Sequence, residues 1–196
     1  MRTLVSILAL AAAASAFAAP EAPVFTQAGA EAYTFDTGVL QGGLRAEGKA
    51  IGLRPLVHTP TGTNLEGHAA GIMSHYRVFT ANKRYGDGAW YWPSTSRLLP
   101  GGAVEVRWAA EKGRPFEMTA VYRWAAPDTL DLTTSVTAKE DLKAFESFLA
   151  SYFPKTFPAA TVCVKDGPEG KPVFRTTPES AGVWQAFPRD AAAVAL

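Results

Sequence analysis

The segment Ala81–Pro93 combines the residue types that a carbohydrate site needs, with three consecutive aromatic residues beside charged and amide side chains. Sugars present apolar C–H faces and a rim of hydroxyl groups, so their sites pair flat aromatic rings with planar polar groups. An alternative is that the aromatic residues fold back into the core. We predict ligand-binding roles for the following residues: Arg77, Asn82, Arg84, Tyr85, Asp87, Trp90 and Trp92.

Two histidines, His68 and His75, precede this segment and could line the same site. The sequence leaves open whether the protein is an enzyme. The seven-residue spacing fits no familiar zinc motif, and we predict neither a metal nor a cofactor.

Three acidic residues offer a different chemistry. Glu105, Glu117 and Asp131 fall on the polar faces of neighbouring predicted strands. Two carboxylates roughly 5–9.5 Å apart can hydrolyse a glycosidic bond. We favour the alternative, in which these residues are solvated or form ion pairs with Arg107 and Arg123.

Alternation of apolar and polar residues with a period of two dominates the chain and is typical of antiparallel strands with one buried face. The connections are short, which favours hairpins. The predicted fold class is therefore all-β, an antiparallel β-sandwich. Residues 139–153 fit a helix or a strand, and we expect a helical turn leading into a strand. The predicted strands are 33–39, 51–57, 71–80, 104–108, 116–124, 130–136, 160–165, 172–176 and 182–188.

Finer expectations follow from the same alternation. We predict turns at Gly42-Gly43 and Gly101-Gly102, an edge or bulge at Pro55, and a buried, unreactive Cys163. Strict alternation over 71–80 gives one face with Ile72, Tyr76 and Val78 and another with Met73, His75, Arg77 and Phe79.

Residues 1–18 are typical of a secretory signal peptide. A basic start precedes the apolar run Leu4–Ala14, and two small-x-small cleavage patterns follow, Ala14-Ser15-Ala16 and Ala16-Phe17-Ala18. A run of eleven residues is too short for a membrane span, which takes about 20. We predict export to the periplasm or the extracellular space, with residues 19–196 forming one β-sandwich domain.

Composition narrows the function classes. The chain has 196 residues, of which 47% are hydrophobic, and its 19 Lys and Arg nearly balance 18 Asp and Glu. A nucleic-acid binder lacks support, because no excess charge is available to neutralise phosphates. No further apolar run reaches membrane length. The sequence does not predict an oligomeric state. The apolar end Ala191–Leu196 fits either a docked final strand or a chain that stops within the domain.

A short stretch resembles a known family. Residues 56–64 (LVHTPTGTN) and 67–72 (GHAAGI) resemble secreted bacterial proteins with the galactose-mutarotase-like β-supersandwich, in particular the PmoA-like family. In that family a TPxG turn precedes a His-rich motif and a Gly-led strand. His68 falls at the motif and Gly71 opens the next strand, whereas Ala69 and Ala70 stand where the family clusters histidines.

The resemblance implies a large antiparallel sandwich with a sugar-sized groove on one sheet, of which this chain would be an incomplete copy. Aldose epimerases of this fold use a His acid and a Glu base, which implies His68 or His75 as the acid and assigns no Glu by motif. We therefore predict an exported carbohydrate-active or carbohydrate-binding protein with a carbohydrate ligand. The alternative is a non-catalytic envelope or protein-interaction module.

Overall fold

The computed structural model describes residues 22–30, 32–46, 48–67, 70–81, 83–157, 159, 161–164, 168–176, 179–180 and 183–184. The predicted signal peptide, His68, Asn82 and the apolar end of the chain lie outside these residues. Within them every strand pairing is antiparallel, and the only helices are two 3₁₀ turns, Ala89–Tyr91 and Pro168–Gly170. The predicted all-β class and the sandwich-like arrangement are confirmed.

The strands, in chain order, are β1 (Thr26–Gln27), β2 (Ala32–Asp36), β3 (Leu40–Arg45), β4 (Gly52–His58), β5 (Thr63–Asn64), β6 (Ser74–Thr80), β7 (Lys83–Arg84), β8 (Thr95–Leu98), β9 (Val104–Trp108), β10 (Phe116–Ala126), β11 (Thr129–Ala138), β12 (Glu146–Ala150), β13 (Thr161–Val164), β14 (Val173–Thr176), β15 (Glu179–Ser180) and β16 (Val183–Trp184).

Two layers of sheet enclose the core. The first layer joins β1-β2-β3-β4-β5 to β12-β6-β7, because Leu53 in β4 and Ile72 before β6 exchange backbone hydrogen bonds of 2.8 and 3.1 Å. The second layer is β11-β10-β9-β8. Alternate residues of both layers meet in the core, as expected when each sheet buries one face. The largest fully buried side chains include Trp108, Tyr33, Tyr122 and Phe25.

The hairpins of the second layer match the sequence prediction. Strands β9, β10 and β11 cover the predicted segments, and the turn between β10 and β11 falls at Pro127-Asp128. In β10 the buried residues alternate with half-buried or exposed ones from Phe116 to Trp124. The alternation is clear here because one face meets the core and the other meets solvent.

Two predictions for the first layer were wrong. Gly42 and Gly43 lie inside β3 and not in a turn, and the predicted strand 33–39 ends at Asp36. A Cβ at Gly42 would overlap the carbonyl oxygen of Pro55, so glycine permits the close approach of β4 rather than a chain reversal. The bulge predicted at Pro55 is confirmed, since the register between β3 and β4 shifts there.

The ambiguous segment 139–153 contains no helix; a turn precedes strand β12, which pairs with β6. The prediction that Cys163 is buried was also wrong, because its side chain is exposed. Among the described residues, β13 pairs only with β14, so this hairpin extends neither of the two layers by strand pairing.

Candidate functional site

A bulge in β6 sets the geometry of the outer face of the first layer. Val78 pairs with Ser147 and His75 pairs with Leu149, so β6 carries one residue more than β12 over this interval. His75 and Val78 both become buried in the core, which corrects the predicted division of this strand into alternating faces. The extra residue lets Tyr76 and Arg77 both project outward, as bulges commonly re-aim side chains.

Four aromatic rings gather on this outer face. Trp90, from the 3₁₀ turn, stacks on Tyr76 with ring centroids 4.5 Å apart and planes 9° apart. Tyr91 and Tyr152 meet Trp90 edge to face, at 6.0 and 6.3 Å. The guanidinium of Arg77 lies over the Tyr76 ring, 4.5 Å from its centroid. The rings therefore form one continuous aromatic cluster, of which Tyr91 is the most exposed member at 58%.

A cavity of about 560 Å³ lies beside this aromatic cluster. Its volume is in the range of small-molecule sites, about 300–1,000 Å³. Trp90 and Tyr91 supply its aromatic wall. The remaining lining residues are Arg45, Lys49, Ile51, Arg54, Pro55 and Ala70. We call this cavity the aromatic–basic cleft.

The charges around the aromatic–basic cleft are mostly positive. Lys49 places its amino group 5.4 Å from the Tyr91 ring centroid, a cation–π contact. Among the described ion pairs, Arg54 lies 3.9 Å from the carboxylate of Glu66, whose side chain is only 10% exposed. Burial raises the pKa of the Tyr152 phenol, Tyr76 adds to the rise and Arg77 opposes it, so Tyr152 carries its proton at neutral pH.

A second, larger depression of about 1020 Å³ continues from the cleft across the outer face of β1–β4. The two share Arg45, Arg54 and Pro55 in their walls. Polar side chains line the larger depression, among them Thr34, Asp36 and Gln41. The outer face of the first layer therefore carries two adjoining depressions, which we together call the groove, with the aromatic cluster beside the smaller one.

Of the predicted ligand-binding residues that the structure describes, Trp90 and Arg77 alone belong to this aromatic cluster. Trp92 lies in the core, 9% exposed, where its ring meets Phe116 at 6.1 Å and Arg114 lies over it at 4.2 Å. Tyr85 is also buried, with its ring edge to face with Phe116. For these two residues the structure has the alternative arrangement, in which aromatic residues of the loop complete the core.

The predicted polar residues Arg84 and Asp87 form a self-contained loop tip. Arg84 donates to the backbone oxygens of Gly86 and Asp87 and lies 3.5 Å from the Asp87 carboxylate, which is 92% exposed. These contacts satisfy the guanidinium locally. His68 and Asn82, also predicted site residues, lie outside the described residues.

His75 lies on the core side of β6, opposite the cleft. It is 2% exposed, its Nε2 is 2.9 Å from the Thr134 hydroxyl, and its ring packs 5.2 Å from that of Trp108. Burial lowers its pKa from 6.5 to about 4, because the cation loses its hydration. At neutral pH this imidazole is uncharged, with no contact to the aromatic–basic cleft among those described.

The three predicted carboxylates lie on the outer face of the second layer. Glu105 is 2.7 Å from Arg97, and Glu117 bonds Arg107. Hydrogen bonding to Arg107 lowers the pKa of Glu117, so this group does not resemble a general acid. Asp131 stands opposite Arg123 in the strand register. The favoured alternative accounts for these positions, because Glu105 and Glu117 form ion pairs and Asp131 is exposed to solvent.

Sequence reasoning missed most of the cleft. Arg45, Lys49 and Arg54 come from β3, β4 and the loop between them, far in sequence from the aromatic segment. Tyr152 arrives from beyond β12, and only the bulge turns Tyr76 outward. None of these positions forms a local motif. Arg54, which falls between Leu53 and Pro55 in the predicted strand 51–57, was the one available signal.

No group of three or more His, Cys, Asp or Glu side chains with the geometry of a metal site occurs among the residues that the structure describes. Within the same residues, no helix is long and apolar enough to cross a membrane.

No protein-family model matches the chain, and no significant match was found among curated proteins or solved structures. The similarity of residues 56–72 to the mutarotase-like proteins therefore stays a prediction.

Proposed function

We propose that the protein binds carbohydrate in the aromatic–basic cleft. The observation that carries the proposal is the joint presence of Trp90 and Tyr91 in the wall of a cavity that also presents Arg45, Lys49 and Arg54. Aromatic rings offer an apolar surface to sugar C–H groups, and the guanidinium and ammonium groups donate hydrogen bonds to ring hydroxyls.

The aromatic wall of the cleft is preorganised, which favours ligand binding. Stacking on Tyr76 and edge contact with Tyr152 hold Trp90 at its place in the wall. Little conformational entropy is then lost from this ring when a ligand binds. Tyr91, which is exposed, supplies the surface that a ligand can cover.

Binding is favoured over proton transfer at a sugar ring for this groove. A catalytic acid must reach the proton that it transfers, and the described contacts of His75 are in the core with Thr134 and Trp108. The second predicted acid, His68, lies outside the described residues. The proposal therefore assigns recognition to the groove and no catalytic step to any residue.

The test is a binding titration of the purified protein with a panel of neutral and acidic oligosaccharides, followed by isothermal calorimetry. We expect Tyr91→Ala to weaken the best binder by about tenfold, as loss of one aromatic contact does. The free energy of unfolding of Tyr91→Ala should differ from that of the unmodified protein by less than about 0.5 kcal/mol, because the Tyr91 side chain is exposed.

Leu149→Ala is the matched control, since Leu149 is also exposed, at 50%, and does not line the cleft. It should bind as the unmodified protein does. If Tyr91→Ala binds normally, or if no saccharide binds, the proposal fails. Saturable binding of another protein that requires Tyr91 would instead favour the alternative of a protein-interaction module.

We also propose that the protein is exported, on the pattern of residues 1–18. Expression of the full chain in a bacterial host, with mass spectrometry of the periplasmic fraction, tests this. A mature N-terminus at Phe17 or Ala19 would support cleavage after one of the two small-x-small patterns. Full-length protein retained in the cytoplasm would contradict it.

A further inference from the structure

We propose that the ligand of the aromatic–basic cleft is an acidic oligosaccharide, whose carboxylate or sulfate group meets Arg45, Lys49 and Arg54. This inference rests on the proposed function and names the class of sugar. It goes beyond sugar binding in general, because a neutral sugar needs no charged partner.

The first argument is local charge. The chain as a whole is nearly balanced, with 19 basic and 18 acidic residues. In contrast, every charged residue that lines the cleft within the described part of the chain is a cation. A concave site lined by one sign of charge raises the local concentration of ions of the opposite sign.

The second argument is that little internal neutralisation is present. No described carboxylate forms an ion pair with Arg45 or Lys49. Arg54 has an acidic neighbour, because the Glu66 carboxylate lies 3.9 Å away. Elsewhere on the surface, Arg97 and Arg107 pair closely with Glu105 and Glu117. Arg45 and Lys49 therefore differ from the arginines of the other sheet face, because no carboxylate in the described part of the chain pairs with them.

The third argument concerns the length of the ligand. The cleft and the larger depression meet at Arg45, Arg54 and Pro55, so a ligand that contacts these cations has polar surface on its far side. A sugar stacked at Tyr91 would place its neighbours along β1–β4. An oligosaccharide with anionic groups uses both parts of the groove, whereas a single sugar uses one.

The test measures binding of paired probes that differ only in charge. The pairs are trimers of galacturonate, mannuronate and glucuronate with their methyl esters, and carrageenan oligosaccharides with their desulfated forms. We expect at least one acidic probe to bind about tenfold more tightly than its neutral counterpart, since a hydrogen-bonded ion pair contributes that much. The affinity should fall as salt is raised. The uronate and sulfate arms identify which anionic group is recognised.

Variants locate the effect. Arg45→Gln and Lys49→Gln should each weaken the acidic probe by about tenfold and its neutral counterpart much less, because the glutamine amide still donates a hydrogen bond to a hydroxyl but carries no charge. Arg97→Gln is the matched control, because it removes an exposed cation from the opposite layer. It should not alter binding.

The outcomes separate this inference from the proposed function. Equal binding of acidic and neutral probes, still weakened by Tyr91→Ala, would overturn the acidic ligand and leave sugar binding standing. Absence of binding by every saccharide would overturn both. Equally tight binding of hexaglutamate, a polyanion without sugar rings, would show a general anion site and overturn the inference as well.

Discussion

Tyr76 and Trp90 stack face to face with only 9° between their planes, and this pair fastens the 3₁₀ turn to the outer face of β6. The stack exists because the bulge in β6 turns Tyr76 away from the core. Trp90 then presents its remaining surface to the cleft. The bulge in β6 thus determines the position of the aromatic wall of the cleft.

Replacing Tyr76 tests this relationship. Tyr76→Ala should lower the free energy of unfolding by about 1–2 kcal/mol, because an aromatic pair and its packing are lost. The substitution should also lower the affinity for the ligand, although Tyr76 does not itself line the cleft. Tyr76→Phe keeps the ring and serves as control, with both properties near normal. Denaturant unfolding and calorimetry measure the two effects, and normal binding by Tyr76→Ala would contradict the supporting role.

Trp92 should behave in the opposite way to Tyr91, although the two are adjacent in the sequence. Trp92→Leu should lower the free energy of unfolding by about 3 kcal/mol, since it leaves a cavity beside Phe116 and removes the ring under Arg114. The folded fraction should bind ligand with unchanged affinity, measured by titration below the unfolding midpoint. A variant that is fully stable but does not bind would place Trp92 in the site after all.

The fold could be predicted where one face of a strand meets the core and the other meets solvent. In β10, the positions from Phe116 to Trp124 alternate without interruption, and the prediction held. The pattern misled at β3, because Gly42-Gly43 has no side chains to show a face and glycine pairs are also typical of turns. In that strand Gly42 is required because Pro55 of the neighbouring strand approaches closely. This contact between strands cannot be read from the local sequence.

The candidate site could be predicted only in part. The aromatic segment was recognised by composition, but neighbours such as Tyr91 and Trp92 point to different sides of the same layer. One residue of offset in β6 moved His75 into the core and Tyr76 out of it. A shift of one residue reverses the faces of a strand, and no local pattern in residues 71–80 announces the bulge.

Gly42 provides a test of the sheet register. Gly42→Ala should lower the free energy of unfolding by about 2–3 kcal/mol, because the new methyl group would overlap the Pro55 carbonyl and force β3 and β4 apart. Gly113→Ala is the control: nothing lies within 4 Å of its Cβ position. That substitution should leave the protein as stable or raise stability by about 0.4–1 kcal/mol through the unfolded chain. Equal stability of the two variants would contradict the close approach.

The buried His75 should make stability depend on pH. Its pKa is about 4 in the folded protein, against 6.5 ordinarily, so the unfolded chain binds a proton that the folded protein does not bind between these values. The free energy of unfolding should therefore be highest above pH 6.5 and should decrease as the pH drops towards 4. From these two values the loss between pH 7.5 and pH 5 is about 2 kcal/mol.

Two variants isolate this imidazole. His75→Gln cannot titrate, so the fall between pH 7.5 and pH 5 should disappear even if the variant is less stable throughout. Thr134→Val removes the hydrogen-bond partner of Nε2; it should cost about 1 kcal/mol at pH 7.5 and keep the fall. The lowered pKa of Glu117 makes a separate contribution at lower pH, so the comparison stops at pH 5. If the free energy of unfolding of His75→Gln falls between pH 7.5 and pH 5 as steeply as that of the unmodified protein, His75 is not the cause. The proton bound on unfolding then belongs to another group.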